Sequence, residues 1–191
     1  MAGKQAKILT DGNCSRMLHY VAKSRYPVRD RTMVLLSLKA GLRASEIAKL
    51  TWPMVLDSRG KIGAAIELCD VAAKRNSGRS IPLHPELKRS LVRLHKSSDG
   101  TGAVIPSERG GEMTANSVVN WFAGLYRALG FQGCSSHSGR RTFITNAARR
   151  VHRVGGSLRD IQQLAGHRSL AMTQGYIEGD TQIKRRLVAL L

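Results

Sequence analysis

Acidic side chains are scarce in this 191-residue sequence, in which 13 Asp and Glu stand against 31 Lys and Arg. The carboxylates are scattered, and the closest pairs are Glu67 with Asp70 and Glu178 with Asp180. A nuclease that uses two metal ions needs a converging acidic cluster, and no such cluster is recognisable here. The sequence also lacks a G-x-x-x-x-G-K-[ST] phosphate loop, which argues against the use of ATP.

Long apolar runs and paired cysteines are missing as well. Apolar runs such as residues 33–36 are far too short to cross a bilayer, and the first residues lack the apolar core of a signal peptide. Cys14, Cys69 and Cys134 are odd in number and have no metal-ligand spacing, so we expect reduced thiols. These features predict a cytoplasmic, nucleoid-associated protein without a membrane partner.

The excess of basic residues gives the chain a formal net charge of +18. A charge of this size favours a polyanionic partner, because each neutralised phosphate releases a condensed counterion. A basic protein attracted to membranes or associated with ribosomes is the alternative that composition leaves open. We predict a nucleic acid as the partner.

Helical patterning surrounds a short β-rich segment. Apolar periodicity and cap residues predict helices over residues 10–24, 29–40, 46–50, 85–96, 114–129, 138–152, 158–165, 170–176 and 181–190. Residues 54–56, 61–68 and 79–83 are typical of short strands separated by turns. The predicted fold class is therefore mostly α with a small three-stranded antiparallel sheet (α+β).

Six residues suit a metal-free attack of a phenol oxygen on a phosphodiester: Arg43, Lys74, His137, Arg140, His167 and Tyr176. The attack builds negative charge on the non-bridging oxygens. The guanidinium group of arginine binds two such oxygens at once and stays protonated. A hairpin lysine can protonate the departing 5′ oxygen, and histidines can accept the proton of a phenol whose free pKa is near 10. Each residue alone has an ordinary structural explanation, and only their joint spacing favours the chemistry.

The same residues resemble, in order, the motifs of the tyrosine recombinases, the phage integrase family. The matching segments are Gly41-Leu42-Arg43 with Glu46, Lys74 before Ile81-Pro82-Leu83, His137-x-x-Arg140 with Thr142-Phe143, and Leu164-x-Gly166-His167. Tyr176 follows His167 by nine residues (176 − 167), as in the family's pattern.

The resemblance implies a tyrosine recombinase-like catalytic domain and a role for each matching residue. Tyr176 would form a 3′-phosphotyrosine and release a 5′ hydroxyl, while Arg43 and Arg140 would hold the scissile phosphate. Lys74 would be the general acid, and Glu46 would support Arg43.

His137 and His167 would assist proton transfer in the same scheme. Arg75, Arg79 and Arg141 are the predicted DNA contacts. No metal or cofactor is implied. The implied partners are double-stranded DNA, further copies of the chain in a tetramer on DNA (a monomer or weak oligomer when free), and accessory DNA-bending proteins.

Two departures from the family pattern concern the second box and the domain content. The second box has the sequence HSGRR, in which Gly139 lowers helix propensity. We expect residues 1–191 to form one catalytic domain, with a core over about 9–180, a tail helix over 181–191 and no N-terminal clamp domain. A naturally minimal enzyme and a truncated one both fit, and the tail either closes its own core or docks on a neighbouring copy.

The predicted function is site-specific DNA recombination: integration, excision or inversion. The alternatives are a catalytically idle DNA-binding remnant that occupies sites or represses promoters, and a type IB topoisomerase-like enzyme that relaxes DNA.

Overall fold

Helix α2 (Pro27–Lys39) lies at the centre of the fold in a computed structural model that describes residues 5–69, 72, 78–176 and 188–189. Proline at the start of α2 suits the first helical turn, where a backbone N–H has no partner in the helix. Most of the helix is buried, with Met33 to Leu36 fully buried together with the polar side chains of Thr32 and Ser37. It packs against α1 (Asp11–Val21), α3 (Ala44–Ala48), α4 (Pro85–His95) and α6 (Ser138–Arg150).

The remaining helices complete a mostly helical fold, which confirms the predicted class. They are α5 (Ala115–Ala128), α7 (Leu158–Ala165) and α8 (Leu170–Gln174), with 3-10 turns at Trp52–Met54 and Val151–Val154. Side-chain caps fix several starts: the Thr10 hydroxyl accepts the Asn13 N–H, and Thr114 accepts that of Ser117. Within the described ranges, no helix has the length and apolar character needed to span a membrane.

The sheet has two paired strands in the described part of the chain, β1 (Ala65–Leu68) and β2 (Arg79–Pro82). They are antiparallel, with Ile66 opposite Ile81 on the buried face. The third strand predicted over 54–56 is wrong: Met54 ends the 3-10 turn that contains Pro53, Val55 caps it, and only Leu56 forms an isolated bridge, to Ile62. Proline at that point fixes φ and removes a donor that a strand would need.

Lys74 and Arg75 lie outside the described residues. So does nearly all of the helix predicted over 181–190.

Two apolar clusters hold the elements together. The main cluster joins α1 to α5 and the sheet. The second is small, with Ile144, Ile161 and Ala165 at its centre and Phe143 and Tyr176 packed against it. The segment from α7 to Tyr176 is attached to the rest of the fold through α6 and β2, and Leu164 packs against the main cluster.

Two glycines let α6 approach α2 closely. A Cβ on Gly139 would lie 2.1 Å from the Ser37 hydroxyl oxygen, so the two helix backbones touch there. Gly41, which follows α2 with φ +63°, lies under the Phe143 ring, and a Cβ would be 2.4 Å from its Cδ1 atom. Gly139, a departure from the family pattern in the sequence, thus has a packing reason in the structure.

We expect Gly139→Ala to lower the free energy of unfolding by about 1–3 kcal/mol, because the methyl group overpacks the α2–α6 contact. Helix propensity alone would predict the opposite sign, a gain of about 1 kcal/mol. Denaturant titration of the variant against wild type measures the difference. Gly124→Ala on α5 is the matched control, since no atom lies within 4 Å of its new Cβ. A Gly139→Ala protein as stable as the Gly124→Ala control would show that Ser37 moves aside without cost.

Candidate active site

Four of the predicted catalytic side chains converge, although they come from different elements. Arg43 is the N-cap residue of α3, Arg140 lies in the first turn of α6, His167 follows α7 and Tyr176 follows α8. The two arginines both contact the C-terminal end of α7. Arg140 Nη2 donates to the Ala165 carbonyl at 2.6 Å, and Arg43 Nη2 donates to the Gly166 carbonyl at 3.4 Å. Sequence spacing singled out these four residues, and the contact between α6 and α7 brings their side chains together.

Arg140 is the most rigidly held of these groups. Its side chain is buried, and Nη1 donates to the Gly41 carbonyl at 2.7 Å in addition to the bond to Ala165. Burial, followed by the like charge of Arg43, lowers the pKa of Arg140 to about 10, so the group stays protonated at neutral pH. An arginine has five N–H donors, so the two carbonyl bonds orient the fork and leave donors for an oxyanion.

A buried carboxylate lies behind Arg43. Glu46 has a side chain with 0% exposure, and its Oε1 accepts from Arg43 Nη1 at 2.6 Å. Its Oε2 accepts the backbone N–H of Arg43 at 2.9 Å. Burial opposes ionisation of Glu46, but the hydrogen bonds and charges of Arg79 and Arg43 outweigh it and lower its pKa. Glu46 is thus in contact with Arg43, and its supporting role in the reaction stays a prediction.

Arg79 points inward, whereas the sequence analysis placed it among the DNA contacts. Its Nη1 and Nη2 donate to the two Glu46 oxygens at 3.0 and 3.1 Å, and its Nε donates to the Leu164 carbonyl at 2.9 Å. With only 6% of the side chain exposed, the guanidinium offers little surface to DNA. Strand alternation was the signal in the sequence, since Arg79 and buried Ile81 share one face of β2.

His167 is buried between the arginines and Tyr176. Its Nδ1 lies 3.0 Å from the Thr173 hydroxyl oxygen, and its ring stacks on the Tyr176 ring with centroids 5.2 Å apart. Burial, followed by the charges of Arg140, Arg43 and Arg79, lowers the pKa of His167 to about 4. The imidazole is therefore neutral at pH 7, and the same burial and positive charge make it a weak proton acceptor.

The second predicted histidine, His137, lies at the entrance to the site and is exposed. It lines a cavity of about 390 Å³ together with Arg141, Met172 and Tyr176. Arg141 is half-buried there, and its Nη1 donates to the Ala6 carbonyl at 2.9 Å. The structure thus places His137 and Tyr176 on the wall of one cleft.

A second concavity, of about 290 Å³, has His167 in its lining. The lining also includes Arg79, Arg159, Arg168, Gln162 and Gln163, and no carboxylate. A roomier cavity, of about 760 Å³, opens between residues 25–29 and 97–111 and contains none of the predicted catalytic residues. Among the residues that the structure describes, no three His, Cys, Asp or Glu side chains group as metal ligands do.

Comparisons with family models, with known sequences and with solved structures agree with one another. The model of the phage integrase family matches residues 7–182. The tyrosine recombinase XerC of Pelobacter propionicus is 30% identical over 158 residues, which are 81% of this chain and 49% of that protein. XerC of Proteus mirabilis is 29% identical over 173 residues, 88% of this chain and 53% of the relative. The chain thus spans about half the length of the curated relatives it matches.

Solved structures share the fold. The crystal structure of XerA recombinase superposes with a TM-score of 0.75 at 22% identity, covering 96% of this chain and 64% of that one. The Tn1549 transposon integrase in complex with a circular intermediate DNA gives a TM-score of 0.73 at 20% identity, covering 100% and 67%. A lambda integrase tetramer bound to a Holliday junction gives 0.71 at 19% identity, covering 92% and 49%.

The neutral, buried state of His167 predicts how stability depends on pH. Folding lowers its pKa from 6.5 to about 4, so between these values the unfolded chain binds more protons than the folded one. The stability that His167 contributes is therefore present above pH 6.5 and lost as the pH falls to about 4, by up to about 3 kcal/mol.

Denaturant titrations between pH 7 and 4 measure this loss. The free energy of unfolding of wild type should fall more steeply than that of His167→Gln, which lacks the titrating ring. An NMR titration of the folded protein in which the His167 imidazole protonates near pH 6.5 would contradict the assignment.

Proposed function

The chain belongs to the phage integrase family of tyrosine recombinases, and on that premise we propose that it cleaves and rejoins DNA at specific sites through a 3′-phosphotyrosine. The observation that carries the proposal is the convergence of Arg43, Arg140 and His167 beside Tyr176. The reaction serves DNA integration, excision or inversion. The assignment of these activities to residues 1–191 as one catalytic domain, with a core over 9–180, is part of the proposal.

In the cleavage step the Tyr176 oxygen forms a bond to the scissile phosphorus while the bond to the 5′ oxygen breaks. The phenol proton is transferred to a neutral histidine. The two candidates are His167, which is in stacking contact with the Tyr176 ring, and His137, which lies across the cleft. Lys74 supplies the proton that the 5′ oxygen needs. Rejoining reverses each of these transfers, with a 5′ hydroxyl as the attacking group.

The charge that builds on the phosphate is met by groups that are already in place. Arg140 is fixed by two carbonyls and Arg43 by Glu46, so neither reorganises as the reaction proceeds. Such preorganised donors are worth several kcal/mol of transition-state stabilisation, about 3–4 for a single donor. No metal ion or cofactor takes part in the proposed steps.

Double-stranded DNA is the proposed substrate, and its backbone would run across the cleft lined by Tyr176 and the second concavity, lined by His167. The cleft offers His137 and Arg141, and the second concavity offers Arg159 and Arg168. The net charge of +18 supports tight, salt-sensitive binding. The structural neighbours include DNA complexes, one of them a tetramer on a Holliday junction. We accordingly propose a tetramer on DNA, assisted by DNA-bending proteins, that acts on the nucleoid in the cytoplasm.

Tyr176→Phe should abolish covalent capture of DNA, because the phenol oxygen is the nucleophile. The test uses duplexes from the DNA that flanks the coding sequence, nicked near the crossover so that rejoining is blocked, with adducts read on a denaturing gel. Tyr20→Phe, a change at an exposed tyrosine on α1, is the control and should retain the adduct. An adduct that persists in Tyr176→Phe refutes the assignment, and specific binding without any wild-type adduct favours the idle DNA-binding protein.

Arg159→Gln and Arg168→Gln should each make DNA binding less sensitive to salt. The slope of log Kobs against log salt should become shallower by about 0.9 for each phosphate contact removed. Arg93→Gln is the matched control, since Arg93 is exposed on α4 and lines a different cavity. A slope that changes equally in all three variants would show a general effect of charge and no contact at the second concavity.

A further inference from the structure

We propose that Arg79 is a positioning residue for DNA cleavage, acting through the buried Glu46 carboxylate on Arg43 and through the Leu164 carbonyl on the turn that carries His167. This inference rests on the proposed function, because it assigns Arg79 a part in the same reaction. It also replaces the DNA contact that the sequence analysis predicted for Arg79.

The first support is the way in which Glu46 is shared. A carboxylate offers about four acceptor positions, and those of Glu46 receive four N–H groups: Arg43 Nη1, the Arg43 backbone N–H, Arg79 Nη1 and Arg79 Nη2. Glu46 therefore holds Arg43 at both its main chain and its guanidinium. Arg79 occupies the two remaining acceptor positions of Glu46. The Arg43 guanidinium is therefore limited to a single hydrogen bond with that carboxylate.

That limit matters for catalysis. Arg43 is the more exposed partner, with 19% of its side chain accessible against 6% for Arg79. If Arg79 were removed, Arg43 would be free to take the carboxylate with both Nη groups, the geometry that arginine and carboxylate prefer. The guanidinium would then turn away from the scissile phosphate toward Glu46.

The second support comes from the turn between α7 and α8. Arg79 Nε donates to the Leu164 carbonyl at 2.9 Å, and Arg43 Nη2 lies 3.4 Å from the Gly166 carbonyl. Gly166 has φ +60°, and a Cβ there would be 2.9 Å from Arg79 Nη1. The Arg79 guanidinium thus packs directly on the turn between α7 and α8, and this turn carries His167.

The third support is electrostatic. Arg43, Arg79 and Arg140 all act on the Glu46 region, and burial alone would push the Glu46 carboxyl toward its neutral form. Arg79 is the partner that contributes most to keeping the pKa of Glu46 low. Without Arg79, protonation of Glu46 would release Arg43 at a higher pH than in wild type.

The experiment compares Arg79→Met with wild type in single-turnover cleavage of the nicked duplex. We expect a rate lower by about 10–100-fold, the scale of a misplaced catalytic group. DNA affinity and its salt slope should change little, because both Nη groups of Arg79 are bonded to Glu46 and only 6% of the side chain is exposed. The acid limb of the pH–rate profile should move to higher pH, which loss of packing alone would not produce.

Two modified substrates separate the routes by which Arg79 can act. A methylphosphonate at the scissile position removes one phosphate charge, so it should bring the Arg79→Met rate closer to that of wild type if Arg43 is the group affected. A 5′-bridging phosphorothiolate has a thiolate leaving group that needs no proton, so it should leave the defect unchanged. Rescue by the phosphorothiolate would overturn the inference in favour of an action through Lys74.

Other outcomes are equally decisive. A salt slope shallower by about 0.9 would show that Arg79 contacts a phosphate, and an unchanged rate would show no role in cleavage. Arg93→Met is the control for loss of a basic residue. Should Arg79→Met not fold, Arg79→Lys, which keeps the charge and loses the paired bonds, is expected to show the same substrate pattern with a smaller defect. Absence of an adduct from wild type itself would instead refute the proposed function.

Discussion

A single buried carboxylate allows three guanidinium groups to share one corner of this protein. Like charges repel strongly where water is excluded, and each buried cation also loses hydration. Glu46 offsets part of that cost for Arg43 and Arg79, while backbone carbonyls at Gly41 and Ala165 solvate Arg140. The cluster retains a net positive charge, which suits the phosphate that the proposed function would place there. The low pKa of His167 is a further effect of the same positive charge and of burial.

The elements that carry these groups are brought together by close backbone contact. Because Gly139 lets α6 touch α2, Arg140 reaches a carbonyl at the end of α2, and the same side chain reaches the end of α7. One arginine thus joins the ends of three helices at the proposed site of cleavage. Residues that position the site and residues that stabilise the fold are in this region the same residues.

Much of this arrangement could be predicted from the sequence, and the exceptions have physical reasons. Motif spacing identified Arg43, Arg140, His167 and Tyr176, because each lies at an element boundary that local patterns reveal. The inward direction of Arg79 was missed, since a charged residue on a short strand is normally expected to face water. The neutral state of His167 was beyond prediction because it depends on arginines from three separate elements. The prediction of a strand over 54–56 was wrong because it relied on the apolar residues there, whereas Pro53 favours the 3-10 turn that the chain forms.

The small apolar cluster under α7 and α8 has a consequence for the energetics of the site. The arginines are anchored in the large core, but Tyr176 packs on a cluster with only three fully buried members. Opening free energies follow local burial, so we expect the α7–α8 segment to open at a lower free energy than the whole domain unfolds. Opening would withdraw Tyr176 and would also take the Ala165 carbonyl away from Arg140. Binding that favours the closed or the opened state would then set the fraction of molecules in which Tyr176 lies beside the arginines.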